Sequence, residues 1–509
     1  MALISVLSVY SAVCPWFCKT GNHGKHGKEQ TEKPSAGLRS LDMNQTKFVI
    51  AVVVLIYFCS VSSAQKPRTT VVDSLIVGGT VVTMDKIHRV IENGAVAIKA
   101  DRIVAVGTRA DIARRYRAAR TIDATGRAII PGLINTHTHV PMSLFRGISD
   151  DLDLNDWLTK YIFPAEAKNV DEAFVRAGTR LGLAEMVRGG TTTYCDMYYF
   201  EDAIADETKI AGVRGVLGET LIDFPVADNK TFDQAMSYSE RYVRKWKNDP
   251  LIVAALAPHA PYTVSTEHLQ AIRKLSDKLD APVVIHVAET KKERDDILAQ
   301  KGATPVNYLN RIGFLNDRVI AAHTVFVTSD EIDILKNKGV GAAHNPQSNM
   351  KLASGTAPVA EMLAKDVAVG LGTDGAASNN DLDMWEEMDT AAKLHKLISG
   401  DPKTLSAEQA FEMATIRGAR VLDLDKITGS IEAGKRADVV IVDLDSLHQT
   451  PMYNIYSSLV YSTKASDVRT VIINGRVVML DRSLLTLNES AIKRDANAYR
   501  LKIIDSLSK

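Results

Sequence analysis

The chain has 509 residues, 46% of them hydrophobic and 24% charged, with 61 Lys plus Arg balanced by 61 Asp plus Glu. That composition supports a full globular core, and the zero net formal charge gives no sign of a nucleic-acid or acidic-membrane partner. The length could hold two or three domains, although barrels run larger as single units.

The N-terminal part reads as targeting sequence. Lys47 precedes an apolar run from Phe48 to Ser60, and Ser62-Ser63-Ala64 then supplies small residues before Gln65. This is the order of a secretory signal, which predicts export to the periplasm or outside, with a mature chain from about Gln65. The run is short for a membrane span, which needs about 20 residues. Membrane contact is therefore expected only in transit, or as an anchor if the signal stays uncleaved. Residues 1–42 show no periodicity, so either Met43 is the true initiator or the stretch is a disordered extension. Residues 1–64 are set aside as leader and signal, and His23 and His26 within them read as solvated. Cys14, Cys18 and Cys59 fall in this leader, which leaves Cys195 as the one mature cysteine, read as a buried inert thiol.

Short β-branched runs separated by Gly and Asp come after the leader, among them Leu75-Ile76-Val77, Val96-Ala97-Ile98 and Ile103-Val104-Ala105-Val106. They read as a meander within 65–128. A second such region, 429–485, holds Val439-Val440-Ile441-Val442 and a hairpin turn at Asn474-Gly475. Neither makes a stable sheet alone, so the two are expected to pair into one small composite β-sandwich.

Between them, over 129–428, apolar runs alternate with helical-looking stretches. The runs are 128–135, 191–196, 212–218, 251–257, 281–286, 319–323, 339–344 and 367–372. Eight βα units predict an α/β fold, a (β/α)8 TIM-type barrel. A doubly wound sheet would not readily gather five clusters of histidine and carboxylate around one mouth. The tail, 486–509, reads as a helix, with Ile492, Ala496, Tyr499 and Ile503 at helical spacing.

Chemistry-bearing residues sit where these runs end. His137 and His139 are two apart, so on a strand their side chains share one face and both can reach one metal. Alone, such a pair is a weak signal. His286 ends a strand, and Glu289 comes three residues later where the chain should turn outward, within reach of a metal-activated water. Read alone, Glu289 would be a surface residue opening the helix that Lys291, Lys292 and Glu293 continue. Asp374 follows Gly370-Leu371-Gly372-Thr373, whose glycines allow close backbone approach. His137, His139, His286 and Asp374 satisfy one zinc-like ion. His323, His344 and His259, each at a strand end, are then expected to support those ligands or contact substrate. His88, His268, His395 and His448 are expected to be structural.

Together, Pro131-Gly132-Leu133-Ile134-Asn135-Thr136-His137-Thr138-His139, His286-Val287-Ala288-Glu289, Ala322-His323, the run His344 to Leu352 and Gly372-Thr373-Asp374-Gly375 resemble the amidohydrolase superfamily. Within it they resemble the branch of 5-methylthioadenosine/S-adenosylhomocysteine deaminases and triazine chlorohydrolases. The resemblance spans roughly 72–480 in the family's motif order. It implies a barrel with a composite β-sandwich, and one divalent metal, zinc or iron, on His137, His139, His286 and Asp374. It also implies Glu289 as proton shuttle and substrate contact, and His323 assisting the attacking water. Glu166 in Phe163-Pro164-Ala165-Glu166 would contact ribose hydroxyls, and His259 the substrate. His344 is placed with the substrate contacts. Strand four ends Ala257-Pro258-His259 with no lysine to carboxylate, which argues for one metal. The nucleoside deaminases place an arginine after strand three, whereas this chain has Gly218 to Pro225 without one.

The expected activity is hydrolytic deamination of an amino-substituted heterocycle, above all an adenosine-type purine, by a homo-oligomer acting on a small molecule. Displacement of halide on the same site is the second reading. A non-catalytic metal-binding barrel is the third, and the presence of Glu289 speaks against it.

Overall fold

Residues 69–508 are described by the computed structural model, together with Met43, Lys47, Phe48, Ile50 and Ala51, which are helical. The rest of the expected leader and signal lies outside the described residues. The chain divides into Met1–Lys66 and Pro67–Lys509, and every described strand belongs to the second unit. Among the described residues no helix is long and apolar enough to cross a membrane.

Five strands come first: β1 (Thr70–Val82), β2 (Val90–Lys99), β3 (Arg102–Thr108), β4 (Tyr116–Asp123) and β5 (Arg127–Pro131). Eight parallel strands succeed them in sequential order and form the barrel: β6 (Leu133–Thr138), β7 (Thr191–Tyr198), β8 (Arg214–Leu221), β9 (Ile252–Pro258), β10 (Val283–Val287), β11 (Val319–His323), β12 (Gly341–His344) and β13 (Val369–Leu371). The chain then returns as β14 (Val439–Asp443), β15 (Val468–Ile473), β16 (Arg476–Leu480) and β17 (Ser483–Leu484). These last four join the first five in one sheet, ordered β17-β16-β15-β14-β5-β1-β2-β3 with β4 beside β1. All eight predicted barrel runs are present as strands.

The two halves of the small sheet meet where β14 pairs antiparallel with β5, Val440 opposite Ile130 and Ile441 opposite Ile129. Side chains alternate across the pleat, and here both faces are apolar. Ile130 and Val440 join the main core beneath the barrel helices, while Ile129 and Ile441 pack with Ile76, Ile98 and Ile472 in a core of the sheet's own. The sheet curls enough that Ile103 of β3 exchanges backbone hydrogen bonds with Gly434 and Lys435, just ahead of β14. That is the closure a sandwich needs.

One expectation changes. The run 128–135, read as a single strand, is split at Gly132. Its first half belongs to the small sheet as β5, and its second half opens the barrel as β6. A Cβ at residue 132 would run into the Thr192 side chain, so glycine is what lets the chain pass from one sheet to the other.

The tail helix, Glu489–Ser508, forms as predicted. It buries Ile492 and Ile503 and sets Tyr499 edge-on to Phe174, with ring centroids 5.6 Å apart. Lys168 and Asn169, at the end of the helix Phe163–Asn169, both donate to Ser506, so the tail braces the segment that carries Glu166.

A buried ion pair fastens the barrel to the small sheet. Arg214, at the start of β8, is 1% exposed, and Asp438, just ahead of β14, is 2% exposed. Arg214 Nη2 lies 3.0 Å from Asp438 Oδ2. Thr428 Oγ1 and the Asn474 backbone N–H also donate to that carboxylate, and Arg214 Nη1 donates to Pro250 O. Both charged groups are fully engaged, so removing one partner strands the other. Asp438→Ala should lower unfolding free energy by about 3–5 kcal/mol, measured by denaturant unfolding of the full chain. A loss under about 1 kcal/mol would show that the pair does not fasten the two parts.

Candidate metal centre and active site

The C-terminal ends of the barrel strands gather the predicted residues at one point. His137 is the next-to-last residue of β6, with its side chain wholly buried, and neither ring nitrogen has a hydrogen-bond partner among the described residues. Each such buried group left unpaired costs about 1–3 kcal/mol. His139 sits one residue beyond the strand on the same face. Its Nδ1 donates to Met197 O at 2.7 Å, and His286 Nδ1 donates to His259 O at 2.8 Å. Both rings therefore turn Nε2 inward, where the two nitrogens stand 3.3 Å apart. Donation to a carbonyl behind the ring is how metal-binding imidazoles are commonly oriented.

Asp374, just past β13, faces them. Its Oδ1 is 3.6 Å from His137 Nε2 and 3.3 Å from His139 Nε2. Oδ1 also accepts the Gly375 N–H at 2.7 Å, and Oδ2 accepts Ser348 Oγ at 2.7 Å. His137, His139 and His286 offer ligand atoms within 4.8 Å of one another, and so do His137, His323 and Asp374. Orphaned nitrogens on His137, inward lone pairs on His139 and His286, and one carboxylate suit zinc, with iron also compatible.

Burial and mutual charge shift these groups strongly. Burial drives His137 and His286 far down, and the neighbouring imidazoles add to it. Burial alone would also lower His139, but the Asp374 carboxylate outweighs it and lifts the ring to about 9. Asp374 works against its own burial and is held well below the usual carboxylate range by His139 and His137.

Glu289 and His323 lie beside the ligands. Glu289 is 6% exposed, and its Oε2 is 3.7 Å from His323 Nε2. Burial raises its pKa, and His323 partly opposes that. His323 Nε2 is 4.0 Å from Asp374 Oδ2, and its Nδ1 meets Asn349 Oδ1 at 2.9 Å. Three of the turns that aim these side chains use left-handed backbone at non-glycine residues: Ala288 at φ 54°, His323 at φ 70° and Asp374 at φ 63°. Each costs on the order of 1–3 kcal/mol.

The cavity over this centre has apolar and aromatic walls, including Trp157, Phe163, Tyr199 and Leu352, around a floor crowded with histidine and carboxylate groups. Glu166 and His259 line it, as expected. Glu166 accepts from Tyr198 Oη at 2.6 Å, and burial pushes its carboxyl up to about 7 against that bond. His259 Nδ1 meets Thr263 Oγ1 at 3.0 Å, and burial pulls the ring down to about 3. Of the arginine-free segment 218–225, only Thr220 reaches the wall.

His344 does not fit its expected place among the substrate contacts. It is absent from the cavity wall, and its Nε2 lies 3.1 Å from Nε2 of His395 on the helix Met384–Ser399. The physical reason is the pleat: at the end of β12 its side chain points to the outer helix layer rather than the mouth. Glu293, passed over as part of a solvated helix start, is instead 6% exposed and accepts the backbone N–H groups of Ala288 and Glu289. Burial pushes its carboxyl up to about 8, and in either charge state both oxygens can accept. The spacing Thr290-x-x-Glu293 is that of a helix capping box, the one sequence signal that pointed to it.

The Amidohydrolase family profile matches residues 128–478, and an Imidazolonepropionase-like composite domain of bacteria matches residues 94–119. A 5-methylthioadenosine/S-adenosylhomocysteine deaminase of Syntrophus aciditrophicus is 46% identical over 436 residues, which is 86% of this chain and 98% of that protein. The crystal structure of a zinc-bound adenosine deaminase from Xanthomonas campestris aligns with a TM-score of 0.85 at 41% identity, over 86% of this chain and 100% of that one. A zinc-bound atrazine chlorohydrolase from Arthrobacter aurescens aligns with a TM-score of 0.79 at 25% identity, over 84% of this chain and 100% of that one.

A cation entering here must displace the proton that Asp374 stabilises on His139, whose ordinary value is 6.5 and which stands at about 9. Below that value each unit rise in pH frees more of the binding form. Apparent zinc affinity, measured by chelator competition between about pH 6.5 and 8.5, should therefore rise about tenfold per pH unit. A flat profile would mean that Asp374 does not hold a proton on His139 over this range.

Proposed function

The chain belongs to the amidohydrolase family, and from that premise we propose that it is a zinc-dependent deaminase of adenosine-type nucleosides that releases ammonia. The observation that carries this reading is the pairing of Glu289 with the His137–His139–His286–Asp374 cluster under one apolar, aromatic cavity. A divalent cation held by those four residues supplies the Lewis acidity that brings the ionisation of water toward neutral pH.

The chain's own residues do the rest. Glu289 takes a proton from the attacking water and delivers it to a ring nitrogen of the purine. Its pKa, raised by burial, brings both transfers closer to neutral pH. His323, within 4.0 Å of both carboxylates, steadies the charge that develops at the amino-bearing carbon, and Asp374 accepts the water's second proton. That second proton passes from Asp374 to the amino group, the carbon–nitrogen bond breaks, and ammonia leaves as the ring carbonyl forms. The aromatic wall excludes bulk water and stacks on a flat heterocycle. Glu166, held by Tyr198, accepts from ribose hydroxyls, and His259 touches the substrate. Among the described residues the wall includes no arginine, so a neutral 5′ substituent suits it better than an anionic one. Names of relatives agree with a nucleoside, one at 44% identity being a 5′-deoxyadenosine deaminase of Methanosphaera stadtmanae.

The test is ammonia release by the zinc-loaded protein from adenosine, 5′-deoxyadenosine, methylthioadenosine, S-adenosylhomocysteine, adenine and aminotriazines. Turnover of an adenosine compound is expected. Glu289→Gln should lower kcat at least about 100-fold with zinc still bound, and Glu166→Gln should weaken kcat/KM for nucleosides about tenfold while sparing free adenine. Chloride release from a chlorotriazine with no ammonia from any nucleoside would shift the reading to the halide-displacing alternative, which the chlorohydrolase alignment favours.

The reading also includes assembly as a homo-oligomer and export through residues 43–64, with the lysine-led apolar run Phe48 to Ser60 as its support. Edman sequencing of the protein from its native host should begin near Gln65. A chain that retains Lys47 would overturn cleavage.

A further inference from the structure

Glu289 sits on a turn that its own sequence does not favour. Val287 ends β10 in extended backbone, and Ala288 then swings to φ 54°. An L-residue in that region costs roughly 1–2 kcal/mol, so other contacts must hold it. On one side, Ala288 O accepts the N–H groups of Val325 and Phe326, and Val287 O accepts that of Thr324, each near 3.0 Å. On the other side stands one buried side chain. Glu293 Oε1 accepts the Ala288 N–H at 2.8 Å, and Oε2 accepts the Glu289 N–H at 2.7 Å.

Glu293 is the third residue of the helix Lys291–Lys301, whose cap Thr290 accepts the Glu293 N–H. In an ordinary capping box the acidic side chain at that position returns only to the N–H of the cap residue. Here it reaches one and two residues further back, into the turn that presents Glu289. Helix capping alone does not require that reach.

We propose that Glu293 is a positioning residue for the reaction. Its two carboxyl oxygens clamp the N–H groups of Ala288 and Glu289, so that the Glu289 side chain is held toward His323 and the cation site. This rests on the reading of Glu289 as proton carrier. A group that moves protons works within a few tenths of an ångström, and a misplacement near 1 Å can cost about 100-fold in rate.

Glu293→Gln keeps the volume but replaces one acceptor with an NH2 group that faces a backbone N–H. In the zinc-loaded full chain, kcat should fall about 10- to 100-fold, with KM and zinc content within about twofold of wild type. Adding Ala288→Gly, for which a positive φ carries no strain, should recover at least about fivefold of that loss. Loss of melting temperature with kcat unchanged, or a kcat loss that Ala288→Gly does not touch, would overturn the positioning role and leave a helix cap. If Glu293→Gln does not fold, Glu293→Asp carries the same test, because its shorter arm cannot span both N–H groups; wild-type kcat there overturns the proposal. Glu289→Gln assayed in parallel separates the two readings. An active Glu289→Gln defeats the proton carrier itself. An inactive Glu289→Gln beside a fully active Glu293→Gln defeats only the clamp.

Discussion

The whole mouth of the barrel depends on how its first and last strands meet. β13 is only three residues long, too short to close the barrel with a full backbone ladder, so side chains stitch the seam. Thr136 Oγ1 donates to Leu371 O at 2.8 Å, and the Asn135 amide both donates to Thr373 Oγ1 and accepts the Thr373 N–H. Gly370 permits this, since a Cβ there would lie 2.5 Å from Thr136 Cγ2. The result is a backbone bond of 2.9 Å from Asp374 N to His137 O. An imidazole from one end of the barrel sequence and a carboxylate from the other are thus fixed against the same point. The remaining site residues are arranged around that join.

A pocket so crowded with ionisable groups is costly without a cation. Burial pushes His137, His286 and His259 toward the neutral ring and Glu289 and Glu166 toward the neutral acid, while Asp374 stays ionised by drawing a proton onto His139. Every tenfold change in a group's proton affinity corresponds to about 1.4 kcal/mol of differential interaction. Left-handed backbone at Ala288, His323 and Asp374 adds strain at the same place. The opposite end of the barrel has the reverse character, with a continuous β-branched sheet and one fully engaged ion pair. Rigidity there and unsatisfied groups at the mouth are the two halves of a preorganised site.

The barrel and its ligand residues were legible because both follow from local rules. Strand-length apolar runs alternate with helical stretches, and a histidine or aspartate that ends such a run lands at the mouth. His137, His139, His286, His323 and Asp374 all obey this and come together. The rule fails where the outcome depends on which face of a strand is occupied or on a distant partner. His344 also ends a run, yet it pairs with His395 outside the wall, and nothing within four residues of β12 announces that. Gly132 looks like the middle of one strand, and only the side chain of Thr192 makes it a boundary. Arg214 and Asp438 are unremarkable in sequence, and their partnership appears only when the sheet closes. Glu293 carried a capping signal, but its longer reach depends on the strained turn at Ala288, which no propensity predicts.

The small sheet has a consequence for how the chain comes into being. β1 to β5 can pair among themselves as they emerge, but the edge of β5 pairs with β14, Ile129 opposite Ile441, and that partner emerges long afterwards. At ordinary synthesis rates of about 5–20 residues per second, β5 waits on the order of half a minute with a bare, β-branched edge beside it. Such an edge invites pairing with other chains. The barrel strands between them lie in sequential order, whereas the second half of the base comes only from the C-terminal part of the chain. The long span between β5 and β14 thus makes the join between the two halves of the sheet the strand pairing of greatest sequence separation on which the barrel's base depends.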